Sequence, residues 1–419
     1  MNNIKHWVFV IGKFFTSQGV IKFIDFITAM LILRFLPINE YALYIVFSFL
    51  LSIGSIGSDF GLSQAVTTIG AKIKDEQTAL GSLFSTAKNY KRNLYLITTI
   101  VILIIVPFIT KGHNWGFINI LSCIIVILLS NWFSQTVSLR TSVLNIHHDI
   151  KGLFEASGMT SITRLALVLI ICKIWPFAIT ALIVNLIGYI ISDLKLFSIC
   201  KKHLNEQVPP LDKFKKELKE FIFPLIPGVI YFIFQGQISI CLLSVFGHTT
   251  PIAQVGALGR LGQIIDFIGI INPFFIQPYF ARLTNKREFI VKSSLVLLFL
   301  IFISIFVLGS SVIVPHWWLI VLGKKYNNLT LELPIALISS LLFLISATVY
   351  TLLISQKATQ WQSLSIIISI CIQLFFIITN GVHNTFDALL LNALTNGAYL
   401  SLQLILLAKM LFFEKTKEN

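Results

Sequence analysis

The stretch YALYIVFSFLLSIGSIGSDFGLSQA, residues 41–65, decides the class of the fold. It is long enough to cross a bilayer, which takes about 20 mostly apolar residues. Yet it sets Asp59 among glycines and serines near its end. Ser48, Ser52, Ser55, Asp59 and Ser63 recur at intervals of four, three, four and four, so they share one face of a helix. A charge facing lipid at a helix centre costs about 2.5–3.5 kcal/mol. That face is therefore expected to point inward, toward other helices or toward water.

The rest of the chain follows the same pattern. Of 419 residues, 56% are hydrophobic and only 12% charged, and the mean hydropathy is +0.86. An ordinary soluble domain is about 45–50% apolar and about 25% charged. Twelve spans are expected, at 14–35, 41–65, 93–110, 116–139, 158–176, 178–200, 221–246, 252–280, 292–313, 331–355, 361–380 and 386–410. The predicted fold class is an all-α integral membrane protein. The N-terminal MNNIKHWVFVIGKFF lacks a short apolar core followed by small residues, so no cleaved signal is expected. Cys123, Cys172, Cys200, Cys241 and Cys371 form no CxxC pair and read as small buried hydrophobes.

The net charge of +14 would suggest nucleic acid in a soluble chain. Here it follows the loops. Every second loop is basic: Lys5 and Lys13; Lys72, Lys74, Lys88, Lys91 and Arg92; Arg140 and Lys151; Lys195 to Lys219; Arg282 to Lys292; Lys357; and Lys409 to Lys417. The other loops carry only Lys111, Lys173, Lys324 and Lys325. By the positive-inside rule both termini are expected in the cytoplasm, and no nucleic-acid partner is expected.

The longest polar break, KKHLNEQVPPLDKFKKELKE at 201–220, falls mid-chain with six spans on either side. It divides the sequence into 1–200, a cytoplasmic linker 201–220, and 221–419. An even number of spans gives both halves the same orientation, as in a parallel pseudo-repeat. LDKFKKELKE reads either as a short amphipathic helix at the membrane surface or as a solvated loop.

Further polar stripes lie inside the spans: Gln18, Lys22 and Asp25; Ser157, Ser161 and Arg164; Tyr231, Gln235 and Ser239; Gly256, Arg260 and Gln263, beside Gly259, Gly262, Asp266 and Gly269; and Asn392, Asn396, Tyr399 and Gln403. Serines and glycines also serve close helix packing, so the serines alone read either way. Ionisable groups inside a membrane are paired or mechanistic. Lys22 and Asp25 either neutralise each other across one turn or act in transport. Arg260 lies about 12 Å from the outer end of its helix at 1.5 Å per residue, and Arg164 a similar distance from the inner end. Arginine suits a phosphate because its planar fork donates in pairs and stays charged. The two arginines either hand an anionic head group across or bridge to Asp266 and Asp59. By count, Lys22, Arg34, Arg164 and Arg260 balance Asp25, Asp59, Asp193 and Asp266. Substrate binding is assigned to Arg164, Arg260, Lys22, Gln235 and Gln263; that the groups bound are a pyrophosphate and a glycan is what the resemblance given below implies. Coupling or gating is assigned to Asp25, Asp59 and Asp266.

No Walker A, HExxH, GxSxG or Cys/His metal spacing occurs, so neither catalytic nor metal residues are assigned and no cofactor is expected. His147 and His148 read as loop residues. A transporter without its own motor fits better than an enzyme.

Three stretches carry a resemblance: LPINEYALYIVFSFLLSIGSIGSDFGLSQAVTT (36–68), VFGHTTPIAQVGALGRLGQIIDF (245–267) with QPYFARL (277–283), and VLGKKYNNLTLELPIALISSLL (321–342). They resemble Wzx-type O-antigen flippases of the multidrug/oligosaccharidyl-lipid/polysaccharide exporter superfamily. The resemblance implies two six-helix bundles, MATE-like, with spans 1, 2, 7 and 8 lining a cavity. It implies flipping of undecaprenyl-pyrophosphate-linked oligosaccharide units across the bacterial inner membrane for O-antigen, lipopolysaccharide or capsule synthesis. Polysaccharide polymerase or assembly proteins are the implied partners, besides the lipid-linked substrate and membrane lipid. Relatives carry an acidic residue late in the seventh span, where FQGQISICLLSVF (234–246) has Ser239 instead. The competing reading is a MATE-like multidrug or cation antiporter.

Overall fold

The protein is described by a computed structural model over residues 2–206, 208–223, 226, 229, 238–246, 248–269, 271–283, 285–356 and 362–412, with side chains from Gln18 onward. Among these residues every regular element is a helix, as the sequence predicts. Eight of the helices are long and apolar enough to cross a membrane, making this a multi-pass membrane protein. The chain divides into two compact units, Met1–Val245 and Phe246–Asn419.

The first unit contains α1 (Asn2–Phe35), α2 (Ile38–Asp59), α3 (Leu62–Gly70), α4 (Gln77–Thr110), α5 (Phe117–Ile146), α6 (Ile150–Leu167), α7 (Ala178–Cys200) and α8 (Asp212–Ile222). Local chemistry sets their ends. Pro37 precedes α2 and stops α1 from continuing. The Asp149 side chain caps α6 by accepting from the Gly152 amide at 2.8 Å. Glu40, in the first turn of α2, accepts from the Ala178 amide at 2.7 Å, so one helix satisfies the orphan donor at the start of another.

α5 packs on α7 and α2, α2 also on α4, and α6 on α7 and α1. One apolar cluster binds the basic end of this unit: Leu62 and Val66 of α3, Leu83 and Phe84 of α4, Leu139 and Val143 of α5, and Leu196 of α7. Phe214, Leu218 and Ile222 of α8 complete it. The expected linker therefore contains a helix, and its apolar side is core. The rest of that segment is tied down as well. Gln77 donates to the Lys202 carbonyl at 3.4 Å, Ser82 to that of Pro209 at 2.5 Å, and Ser85 to that of Glu206 at 3.4 Å.

In the second unit the helix Glu332–Ser355 is central, packing on Thr385–Phe412, Thr249–Gly269 and Lys286–Ile313. Lys286–Ile313 shows why a bilayer is required. Leu295, Leu298, Phe302, Ile305 and Phe306 are all at least 60% exposed, a contiguous apolar surface that water does not tolerate.

Of the cysteines, Cys123, Cys172 and Cys200 are buried, Cys241 is half-buried and Cys371 is exposed. The expectation of burial fails for Cys371. It shares a helix face with Leu374, Phe375 and Ile378, which are also exposed. A thiol on a lipid-facing surface leaves water just as a core thiol does.

Candidate functional site

Asp59 stands at a break. α2 ends there, Phe60 adopts a left-handed conformation (φ 40°) and Gly61 follows at φ 82° before α3 begins. A left-handed L-residue costs roughly 1–2 kcal/mol, whereas glycine pays no Cβ penalty. At the break the Asp59 carboxylate pairs with the Lys91 ammonium of α4 and accepts from Ser63 at 2.5 Å. Lys91 also donates to Ser63 at 3.1 Å, to Ser138 and to the Gln135 carbonyl at 3.4 Å. Its side chain is 1% exposed and that of Asp59 26%.

The sequence places Lys91 in a basic loop and offers an interior arginine as the partner for Asp59. The helix instead begins at Gln77, well before the apolar run, and Lys91 lies on its inner face. The signal was present: Phe84, Ala87, Lys91, Thr98 and Ile102 are all buried at helical spacing.

The serines of α2 meet a second polar stripe, on α5, that the sequence reading missed. Asn131, Ser134, Gln135, Ser138 and Ser142 recur at helical spacing. Ser55 approaches Ser134 at 3.0 Å and Asn131 at 3.4 Å, and Ser142 donates to the Ser63 carbonyl at 3.0 Å. Ser55 of the α2 stripe thus turns toward α5, whereas Ser52 donates back to the Ser48 carbonyl of its own helix.

Asp25 and Arg164 come together as a second pair, Nη1 to Oδ1 3.6 Å. Ser161 donates to the same oxygen at 2.9 Å. Arg164 Nη2 donates to Asn185 Oδ1 at 2.6 Å, and Asn185 Nδ2 lies 3.5 Å from the Tyr44 hydroxyl. Gly188 makes room for this arginine, because a Cβ there would lie 2.7 Å from Arg164 Cδ. Its Nε is buried and has no hydrogen-bond partner, while the side chain as a whole stays 29% exposed. A π-helical stretch, Val168–Cys172, begins one turn after Arg164. Such bulges are frequent at functional sites. Lys22, three residues before Asp25 on α1, is exposed.

Asp193, counted among the interior charges, is held by Arg140 Nη1 at 2.5 Å. Glu206 takes the other edge of that guanidinium at 3.0 and 3.1 Å, and Phe197 lies under it.

These pairings change the charge balance. Asp59 and Asp193 are neutralised by Lys91 and Arg140, which lie outside that count. Of its members in the first unit, Lys22, Arg34, Arg164 and Asp25 remain.

In the second unit Arg260 is half-buried, Gln263 likewise, and Asp266 exposed. All three lie on the helix Thr249–Gly269. Gln235 lies outside the described residues.

No known protein family matches the sequence, and no curated protein does. Solved structures do match the fold. The lipid II flippase MurJ in an inward closed conformation aligns at a TM-score of 0.70 and 15% identity, over 94% of this chain and 87% of that one. The eukaryotic MATE transporter AtDTX14 aligns at 0.63 and 11%, over 100% and 97%. An inward-facing multidrug resistance MATE family transporter of the MOP superfamily aligns at 0.55 and 10%, over 94% and 100%. At such identities the likeness establishes a shared fold.

Proposed function

We propose that this protein flips an anionic lipid-linked oligosaccharide across a membrane, the undecaprenyl-pyrophosphate-linked unit of a surface polysaccharide. The observation that carries the reading is Arg164. It is a cation among membrane spans, its side chain 29% exposed and 3.6 Å from Asp25, with Lys22 one helical turn from that counter-ion. Burying such a charge is costly unless it is paired or used. A planar guanidinium that stays part exposed is suited to a pyrophosphate. Serine, asparagine and tyrosine groups alongside offer hydrogen bonds to a glycan, while the polyprenyl tail stays in lipid.

On this reading the six-span halves 1–200 and 221–419 alternate access to the substrate. Asp25 and Asp59 act as gating carboxylates through their pairs with Arg164 and Lys91. Arg260, Gln263 and Gln235 contribute from the second half, with Asp266 a further gating carboxylate. The membrane is a bacterial inner membrane with both chain termini in the cytoplasm, and polymerase or assembly proteins take the flipped product. No catalytic step is assigned to the chain.

The test is deletion of the gene in its host, with extraction of lipid-linked oligosaccharides and staining of surface polysaccharide. Accumulation of a complete undecaprenyl-linked unit with loss of surface glycan supports the reading. It must be restored by the wild-type gene and not by Arg164→Leu. Normal surface glycan with new drug sensitivity would instead favour the MATE-like antiporter, with Asp25 as its cation site.

A further inference from the structure

At the basic end of the first unit, α4 carries a groove that the transport reading does not use. It encloses about 250 Å³ between Thr86, Asn89, Tyr90 and Asn93 of α4 and Pro210 and Lys215 of the following segment. Its walls are fastened together. Thr86 Oγ1 accepts from the Leu211 amide at 3.3 Å, and the Tyr90 hydroxyl lies 3.5 Å from the Lys215 carbonyl.

The spacing 86, 89, 90 and 93 places the α4 residues on one helix face. Carried along the helix, that face becomes Ile97, Ile100, Ile104 and Phe108, each 59–66% exposed. These belong to a segment apolar enough to cross the membrane. From Asn93 to Ile97 the rise is about 6 Å. The groove therefore opens where the polar end of α4 passes into its lipid-facing stripe, the depth at which head groups lie.

Its rim is cationic. Lys215 and, one turn on, Lys219 are exposed on α8, and Lys88 and Arg92 are exposed beside Asn89 and Asn93 on α4. A carboxylate of the same helix, Asp212, holds Lys215 Nζ at 2.7 Å and is itself 93% exposed; Glu217 and Glu220 follow on α8. Water can solvate Asp212 once an anion takes the ammonium.

We propose that this groove holds the phosphate head group of an anionic phospholipid, with an acyl chain lying along Ile97, Ile100 and Ile104. The phosphate oxygens accept from the Lys215 ammonium, from the Asn89 and Asn93 amides, and from the Tyr90 hydroxyl once its one proton turns from the Lys215 carbonyl. Cations at a membrane surface favour anionic over zwitterionic lipid. The site is independent of the flippase reading, since α4 and α8 carry it whereas Asp25 and Arg164 stand on α1 and α6.

The test is native mass spectrometry of the purified full-length protein. It is exposed to equal amounts of phosphatidylglycerol, phosphatidylcholine and undecaprenyl phosphate, with inorganic phosphate as competitor. The wild type is expected to retain phosphatidylglycerol several-fold over phosphatidylcholine, with free phosphate failing to displace it. Lys215→Ala combined with Asn93→Leu abolishes that preference, whereas Lys324→Ala in the second unit preserves it. Tyr90→Phe, which keeps the ring, gives a smaller loss. Equal retention of the two phospholipids, or an unchanged preference in the double variant, overturns the proposal. Preferential retention of undecaprenyl phosphate, lost in the same variant, reassigns the groove to the polyprenyl lipid and also overturns it. A chain that retains phosphatidylglycerol yet fails the gene-deletion test above overturns the flippase reading alone.

Discussion

Asp59 and Lys91 form an ion pair between the end of α2 and the inner face of α4, with the lysine side chain almost wholly withdrawn from solvent. Breaking a buried pair by removing one partner leaves an uncompensated charge, at a cost of about 3–5 kcal/mol. The two partners are not equivalent here. Asp59→Ala strands the buried ammonium and is expected to destabilise by about 3 kcal/mol. Lys91→Met leaves a carboxylate that still reaches water and the Ser63 hydroxyl, and costs less. The double variant recovers most of the loss. Thermal unfolding of the four proteins in detergent checks this, and additive single effects would contradict it.

Arg140 joins α5 to Asp193 of α7 and to Glu206 beyond it. Arg140→Leu leaves two carboxylates without their cation and is expected to cost about 3–5 kcal/mol. Glu206→Gln keeps Asp193 paired and is milder. Denaturation midpoints give the ranking, and equal losses would show that the two carboxylates are not held by one arginine.

Gly188 tests the seat of Arg164. Gly188→Val forces the arginine away from Asn185, so on the proposed function transport is expected to fall to the level expected of Arg164→Leu. Gly158→Ala, where an added Cβ meets nothing within 4 Å, is expected to be neutral. Surface polysaccharide restored in the deletion strain is the readout. Full restoration by Gly188→Val would remove Arg164 from the mechanism.

His147 stacks on His203 with ring centroids 4.3 Å apart, just outside the end of α5. Burial, followed by the neighbouring His203 and then Lys74, holds its pKa below the ordinary histidine value; Asp75 and Asp149 pull the other way. The unfolded chain takes up this proton near pH 6.5, and the folded chain only at lower pH. Between those values the unfolded state binds more protons, so stability rises with pH. It is complete above about pH 6.5 and declines as pH falls toward the folded value. Unfolding temperatures measured from about pH 7.5 to 5 should drop on the acid side, and His147→Phe should flatten the drop. An identical slope in the variant would place the effect elsewhere.

The sequence by itself determined the class of this protein. Long apolar runs with alternating basic loops require membrane-spanning helices, because only a helix satisfies its own backbone in lipid. The spacing of Ser48, Ser52, Ser55 and Asp59 also marked one polar face of α2, while the helix break at Phe60 and Gly61, which that spacing does not show, places Ser63 on α3. Periodicity reports which face a residue occupies, and it says nothing of what stands opposite. The partners were decided by tertiary packing: Lys91 is 32 residues from Asp59, and Arg164 is 139 from Asp25. A lysine just before an apolar run reads as a loop cation, since hydropathy marks where the lipid begins and not where the helix begins. Only the packing of α4 against α2 and α5 withdrew Lys91 from water. Once there, its desolvated charge required the nearest carboxylate, and that changed which cations of the first unit were left to meet a substrate.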